Sequence, residues 1–165
     1  MNTLIFDSYT AMSKKAADAV IQRLQSVKHP VFCVASGESP NGLYKELAER
    51  HDRGDLDISA WYFLGLDEWM GLGKNDEGSC RYMLDRHLFH PLKVKEDRIC
   101  FFDGRTNDPD AECRRVEEFI HTLGPVEVAV LGLGMNGHVG LNEPGTSGTL
   151  RSHVSVIDKL TETVG

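Results

Sequence analysis

No two of the four cysteines, Cys33, Cys80, Cys100 and Cys113, form a C-x-x-C pair, which excludes a zinc ribbon and a thioredoxin motif. Cys33 and Cys100 stand within apolar runs and read as buried core thiols, and such cysteine usage fits a reducing cytoplasm. No apolar run is long enough to span a bilayer. The opening MNTLIFDSYT has neither the basic start nor the apolar stretch of a signal peptide, so no membrane partner is expected. Positive charge is in short supply, with 18 Lys and Arg against 25 Asp and Glu and a net charge of -7. That balance argues against a broad nucleic-acid surface, although backbone amides can still hold a small anion. No G-K-[ST] follows a glycine loop, so there is no Walker loop. The scattered His87 and His90 make no metal-ligand pattern. Internal repeats and low-complexity segments are absent.

What is present is an ordinary globular composition, 41% hydrophobic and 26% charged over 165 residues, enough for one domain with a core. Met12, Ala16, Val20, Leu24 and Val27 recur at helical spacing behind Ser8 or Thr10 as cap. Val31 to Ala35 reads as a buried strand, and Leu43, Tyr44, Leu47 and Ala48 mark the helix after it. Trp61 to Leu66 is the next strand, Ser79 opens a helix that Pro91 ends, and Arg98 to Phe102 is a short strand. Asp110 to Leu123 is amphipathic, Val126 to Leu131 reads as a buried strand, and His153 to Ile157 is a candidate last strand. Alternating helices and strands imply an α/β fold, three layers α-β-α around a mostly parallel, Rossmann-like sheet.

Three polar loops follow three of these strands, and in a parallel sheet such loops share one edge. The first is Ser36-Gly37-Glu38-Ser39, whose hydroxyls, glycine and helix start suit an anion; by itself it reads more readily as a Ser helix cap with Pro at the first turn. The second carries Asp67-Glu68. Adjacent residues on an extended segment face opposite ways, so one of the two enters a cleft there. The third, Gly132 to Gly145, gathers Asn136, His138, Asn142 and Glu143 among glycines that include Gly134 and Gly137. Its GLGMNG has G-x-G-x-x-G spacing, but no acidic residue can be assigned at the distance a dinucleotide site needs.

The segments ASGESPNGLYKEL, FLGLDEWMGL, DAECRRVEEFI and LGLGMNGHVGLNEPG together resemble the glucosamine/galactosamine-6-phosphate isomerase (deaminase) family, in that family's order and over most of the chain. The DEW and GMNGH variants resemble the galactosamine branch more. The resemblance implies isomerisation with deamination of a hexosamine 6-phosphate, without metal or organic cofactor. It implies that Ser36, Gly37, Glu38 and Ser39 hold the phosphate and that Asp67 is the general base. His138 would open the sugar ring with Glu143 orienting it and Asn136 beside it, and Gly134, Gly137 and Asn142 would shape the substrate loop. Asn136 stands where the deaminases carry Asp. Family members continue beyond the position of Gly165, so the single domain 1-165 is expected to lack a C-terminal part. A 6-phosphogluconolactonase and a non-catalytic sugar-phosphate sensor remain alternatives, and a homo-oligomer is left open.

Overall fold

Side-chain alternation along two four-residue strands decides where the helices sit. Phe32, Val34 and Phe63 enter one core, whereas Val31, Cys33 and Leu64 enter a second on the opposite face of the same sheet. In the computed structural model, which describes residues 2–164, the strands are β1 (Val31–Val34), β2 (Tyr62–Gly65), β3 (Ile99–Cys100) and β4 (Val126–Ala129). All neighbouring pairs are parallel, in the order β3-β2-β1-β4. The first core is closed by α1 (Tyr9–Leu24), α2 (Asn41–Asp52) and α3 (Cys80–Leu84), which runs into a π-helical turn, Asp85–Phe89. The second is closed by α4 (Pro109–Leu123), through Val116. A short α5 (Lys159–Val164) ends the described chain.

Local chemistry sets the helix starts. The Ser8 hydroxyl accepts from the Ala11 amide at 3.1 Å, and Asp108 does the same for Ala111 at 2.9 Å with Pro109 as the first helical residue. At α3 the cap is Ser79, as its place in the sequence suggests. The first core is aromatic at its centre, where Phe63 packs against Phe32, Trp61 and Phe89 with ring centroids 6.0, 6.2 and 5.7 Å away.

Three expectations are corrected. β4 is half-exposed, not buried, and ends at Ala129. Among the described residues it pairs with β1 alone, so it is an edge strand. Residues 153–157 form no strand. On α1 the buried stripe is Ser13, Ala17, Val20 and Leu24, and Met12 is exposed. The rotation follows from packing on α2: Gly42 approaches Tyr9 and Ser13 so closely that a Cβ there would overlap both.

Topology locates the site. The chain steps from β1 to β2 to β3, then crosses back to lay β4 on the other side of β1. The strand order therefore reverses between β1 and β4, and a crevice opens beyond their carboxyl ends. Because Phe63 is fully buried at the centre of the larger core, Phe63→Ala is expected to lower stability by about 3–5 kcal/mol. Urea unfolding checks this, as a lower midpoint with unchanged slope.

Candidate active site

The loops after β1, β2 and β4 meet around a cleft of about 500 Å³. Ser36 to Ser39 form one wall, Asp67 stands at the end of β2, and Gly134, Asn136 and His138 come from the third loop. Glu143 and Asn142 line an adjoining groove, to which Asp67 and Gly137 also contribute. Residues more than 100 positions apart in the sequence thus converge on one edge of the sheet.

Asp67 is half-buried and its carboxyl is raised from 3.8 to about 6. Removal from water is the main cause, and the neighbouring Glu68 adds to it. Opposing them are hydrogen bonds from the Cys80 thiol and the Leu141 backbone amide and the attraction of His138. The Leu141 amide reaches the carboxylate because Gly140, at φ 59°, brings the backbone close. A Cβ on Gly140 would lie 3.2 Å from Asp67 Oδ2. Glu68 turns the other way, as alternation along an extended segment requires. Its Oε1 accepts from the Trp69 and Cys80 amides at 2.8 and 3.0 Å, and its Oε2 from the Ser79 hydroxyl and Arg81 amide at 2.7 and 3.1 Å. One carboxylate enters the cleft and its neighbour fastens the start of α3.

His138 is held through Asn136. The Asn136 Oδ1 accepts from the His138 backbone amide at 3.0 Å and lies 2.8 Å from Nδ1. The Asn136 amide nitrogen donates to Glu143 Oε2 at 2.6 Å. With the amide oxygen facing the ring, Nδ1 carries the proton and Nε2 keeps a lone pair. The ring lies flat against Gly134, where a Cβ would come within 2.0 Å of Cε1. Glu143 therefore reaches the imidazole at one remove. Its Oε1 accepts from the Thr161 hydroxyl at 2.7 Å and the Asp158 amide at 3.0 Å, and these bonds hold its carboxyl below the usual range, with the Asn136 bond and His138 contributing less. Asn142 closes a tight hairpin with Val139: its backbone exchanges bonds of 3.1 and 3.2 Å, and its side chain donates to Val139 O at 3.3 Å.

The loop after β1 differs from expectation in one respect. The first amides of α2 are taken: Asn41 N–H donates to Glu38 O at 3.2 Å, and Gly42 N–H to the Tyr9 hydroxyl at 2.7 Å. Tyr9 in turn donates to the Ser39 carbonyl at 2.9 Å. Among the described residues no acceptor meets the amides of Gly37, Glu38 or Ser39, so these loop amides are the donors open to an anion. The Glu38 side chain is exposed and lies 3.5 Å from Asn41 Nδ2, so Glu38 offers its backbone.

Sequence reasoning missed Thr161, Cys80 and Tyr9. Thr161 is 6% exposed, lines the cleft and lies 3.4 Å from His138 Nδ1 through its hydroxyl. Nothing in LTETV marks it, because a lone threonine in a short polar segment has no periodicity to read. Tyr9 could have been suspected from its place beside the Ser8 cap, but its partners lie some thirty residues away. Among the described residues no cluster of three or more His, Cys, Asp or Glu side chains is arranged for a metal ion.

Residues 7–156 match the family described as glucosamine-6-phosphate isomerases/6-phosphogluconolactonase. A glucosamine-6-phosphate deaminase of Bacillus velezensis is 37% identical over 161 residues, which are 98% of this chain and 67% of that protein. A solved monomeric glucosamine-6-phosphate deaminase superposes with a TM-score of 0.94 at 31% identity, over 99% of this chain and 68% of that one. A solved 6-phosphogluconolactonase of Thermotoga maritima shares the fold, with a TM-score of 0.70 at 23% identity over 84% of this chain and 62% of that one. The chain spans about two thirds of the length of the curated relatives it matches.

Two outcomes are expected from this geometry. Gly134→Ala displaces the imidazole from Asn136, and nitrogen NMR of His138 detects it as a loss of the single Nδ1–H tautomer. Asp67 binds its proton more tightly folded than unfolded, so the stability it contributes is complete below 3.8 and is lost as pH rises through about 6. Asp67→Asn is therefore expected to stabilise the protein at pH 7, by on the order of 1–2 kcal/mol in thermal unfolding, with the gain vanishing below pH 4.

Proposed function

From a chain that belongs to the glucosamine-6-phosphate isomerase/6-phosphogluconolactonase family, we propose an enzyme that isomerises and deaminates a hexosamine 6-phosphate without a cofactor. The observation that carries this reading is the shared cleft. A desolvated carboxylate, a histidine with a defined tautomer and a loop with open amides line one cavity of sugar-phosphate size. The names of the more similar relatives favour glucosamine 6-phosphate. The DEW and GMNGH sequences favour galactosamine 6-phosphate as a second reading, and Trp69 of the first motif lines the cleft.

The chemistry assigns one proton to each group. The phosphate rests on the Gly37, Glu38 and Ser39 amides with the Ser36 and Ser39 hydroxyls beside them, far from the reacting carbons, and supplies binding energy for positioning. His138 takes the anomeric hydroxyl proton on Nε2 and returns it to the ring oxygen, opening the pyranose. Asp67, ionised, removes the C2 proton and delivers it to C1, while the C1 carbonyl oxygen takes up a proton and the C2 amine gives one up, so the aldehyde becomes an alcohol and the amine a ketimine. Water then adds at C2 and ammonia leaves, giving a ketose phosphate. Asn136 orients the ring but brings no charge to the imidazolium, so the negative charge of Glu143 acts through the amide between them.

Purified protein extending through the full length of its relatives is expected to release ammonia from glucosamine 6-phosphate. Release from the galactosamine epimer alone would favour the second reading, and release from neither would sink the deaminase. Lactone hydrolysis without exchange of a carbon-bound proton would point to a lactonase. Asp67→Asn is expected to lower exchange of the C2 proton with solvent by at least about a hundredfold. In the unmodified enzyme kcat/KM should rise as pH passes through about 6, where Asp67 ionises.

A further inference from the structure

Behind the loop that follows β1 stands the first residue of α1, Tyr9. Its hydroxyl accepts from the Gly42 amide at 2.7 Å. Its one hydrogen lies between two carbonyls, that of Ser39 at 2.9 Å and that of Glu38 at 3.1 Å. The Asn41 amide also holds the Glu38 carbonyl, at 3.2 Å. Gly42 makes the approach possible, since a Cβ there would lie 2.7 Å from Tyr9 Cε1. Glu38 and Ser39 thus form a wall with two sides. On one side they line the cleft with Asp67 and His138, and on the other they line a groove with Tyr9 and Gly42.

We propose that Tyr9 is a positioning residue for phosphate binding, its hydroxyl holding the Glu38 and Ser39 carbonyls out of the cleft so that the loop meets the anion with amides. This rests on reading residues 36–39 as the phosphate loop. The physical reason is peptide geometry. Among the described residues every peptide bond is trans, so a carbonyl and the amide that follows it point to opposite sides of the chain. A Glu38 carbonyl held toward Tyr9 sends the Ser39 N–H the other way, to the cleft side. The Ser39 carbonyl is followed by Pro40, which has no N–H, so turning it toward Tyr9 hides no donor. Either carbonyl, if it faced the cleft, would set its lone pairs against the phosphate oxygens. Gly37, at φ 109°, supplies the turn at the other end of the loop.

A hydroxyl suits this place because it accepts and donates at once, so one group serves the Gly42 amide and the turned carbonyls together. Filling the Gly42 amide also leaves the anion to the amides of Gly37, Glu38 and Ser39, which meet no acceptor among the described residues. Tyr9 itself does not line the cleft, and its effect on a ligand passes through the backbone it holds.

The test compares Tyr9→Phe with unmodified protein, both at the full length of the relatives. Phenylalanine keeps the ring and removes only the hydroxyl. Inorganic phosphate is titrated into isotope-labelled protein and followed by NMR at the Gly37, Glu38 and Ser39 amides. These amides are expected to move in the unmodified protein. In the variant the midpoint is expected at a roughly three- to tenfold higher phosphate concentration, the loss that one hydrogen-bonding group implies. In turnover, KM for the hexosamine 6-phosphate is expected to rise by the same factor with kcat changed less than about twofold, because a phosphate far from the reacting carbons is held alike in substrate and transition state. A merely structural role would lower kcat or the fraction of active protein and leave the phosphate midpoint in place. Equal midpoints in the two proteins, or a fall in kcat with KM unmoved, overturns the proposal. Loop amides that ignore phosphate in the unmodified protein overturn the phosphate-loop reading and this proposal with it. Protein that binds phosphate at the loop but releases no ammonia would sink the proposed reaction while leaving the titration to decide the role of Tyr9.

Discussion

A carboxylate held partly away from water at the end of β2 is the constraint around which the rest of the site is arranged. A charged group in that place is unfavourable unless donors approach it, and each surrounding loop sends one. The β4 loop contributes the Leu141 amide, which arrives because Gly140 has no side chain. The start of α3 contributes the Cys80 thiol, which arrives because Glu68 fastens that helix to the residue beside Asp67. These donors lower the carboxyl, but desolvation exceeds them, and the balance leaves Asp67 titrating near 6. A group there is ionised at neutral pH yet basic enough to accept a proton from carbon, which the proposed chemistry requires.

The sheet explains why these loops meet at all. Short parallel strands deliver every following loop to the same edge, and the reversal of strand order between β1 and β4 separates the two loops enough to leave a crevice. Much of this was legible in the sequence. The apolar runs VFCV and WYFLGL, the amphipathic stretch from Asp110 and the Ser79 cap all appear where periodicity and capping chemistry place them. The β4 run was misread for a physical reason. VEVAVL is apolar enough to be central, but exposure depends on how many neighbours a strand has, and hydrophobicity does not encode that count. Val20 and Leu24 of the α1 stripe are buried as read, but its first half was misread by one position, Ser13 and Ala17 in place of Met12 and Ala16, because the facing surface, Gly42 with its close approach to Ser13, is distant in sequence.

The site shows the same division. Motif residues such as Asp67, His138 and the Ser36 loop could be named from clustered polar groups after strands, and their side chains or backbones do face one cleft. Residues that act on those groups from the side carried no local signal. Tyr9 occupies the second amide of α2, that of Gly42, with its hydroxyl, Thr161 donates to Glu143, and Cys80 lines the cleft with Ser36 and Asp67. Each is an ordinary residue in its own segment, and its role comes from a partner brought near by the fold.

Asn136 carries this reasoning furthest. An aspartate in its place would put a negative charge against the imidazole and stabilise its protonated form directly. The amide accepts from Nδ1 on one side and donates to Glu143 on the other, so orientation passes through it while charge remains a residue away. The direction of the amide is fixed by both partners at once: its oxygen meets two donors of His138, and its nitrogen meets a carboxylate. Turning it over would set the amide nitrogen against two N–H groups and its oxygen against an anion. The neighbours thus choose the His138 tautomer as well as its position, and the nitrogen left with a lone pair is Nε2. An amide here weakens the electrostatic pull on the imidazolium without loosening the ring, which separates two contributions that an aspartate would supply together.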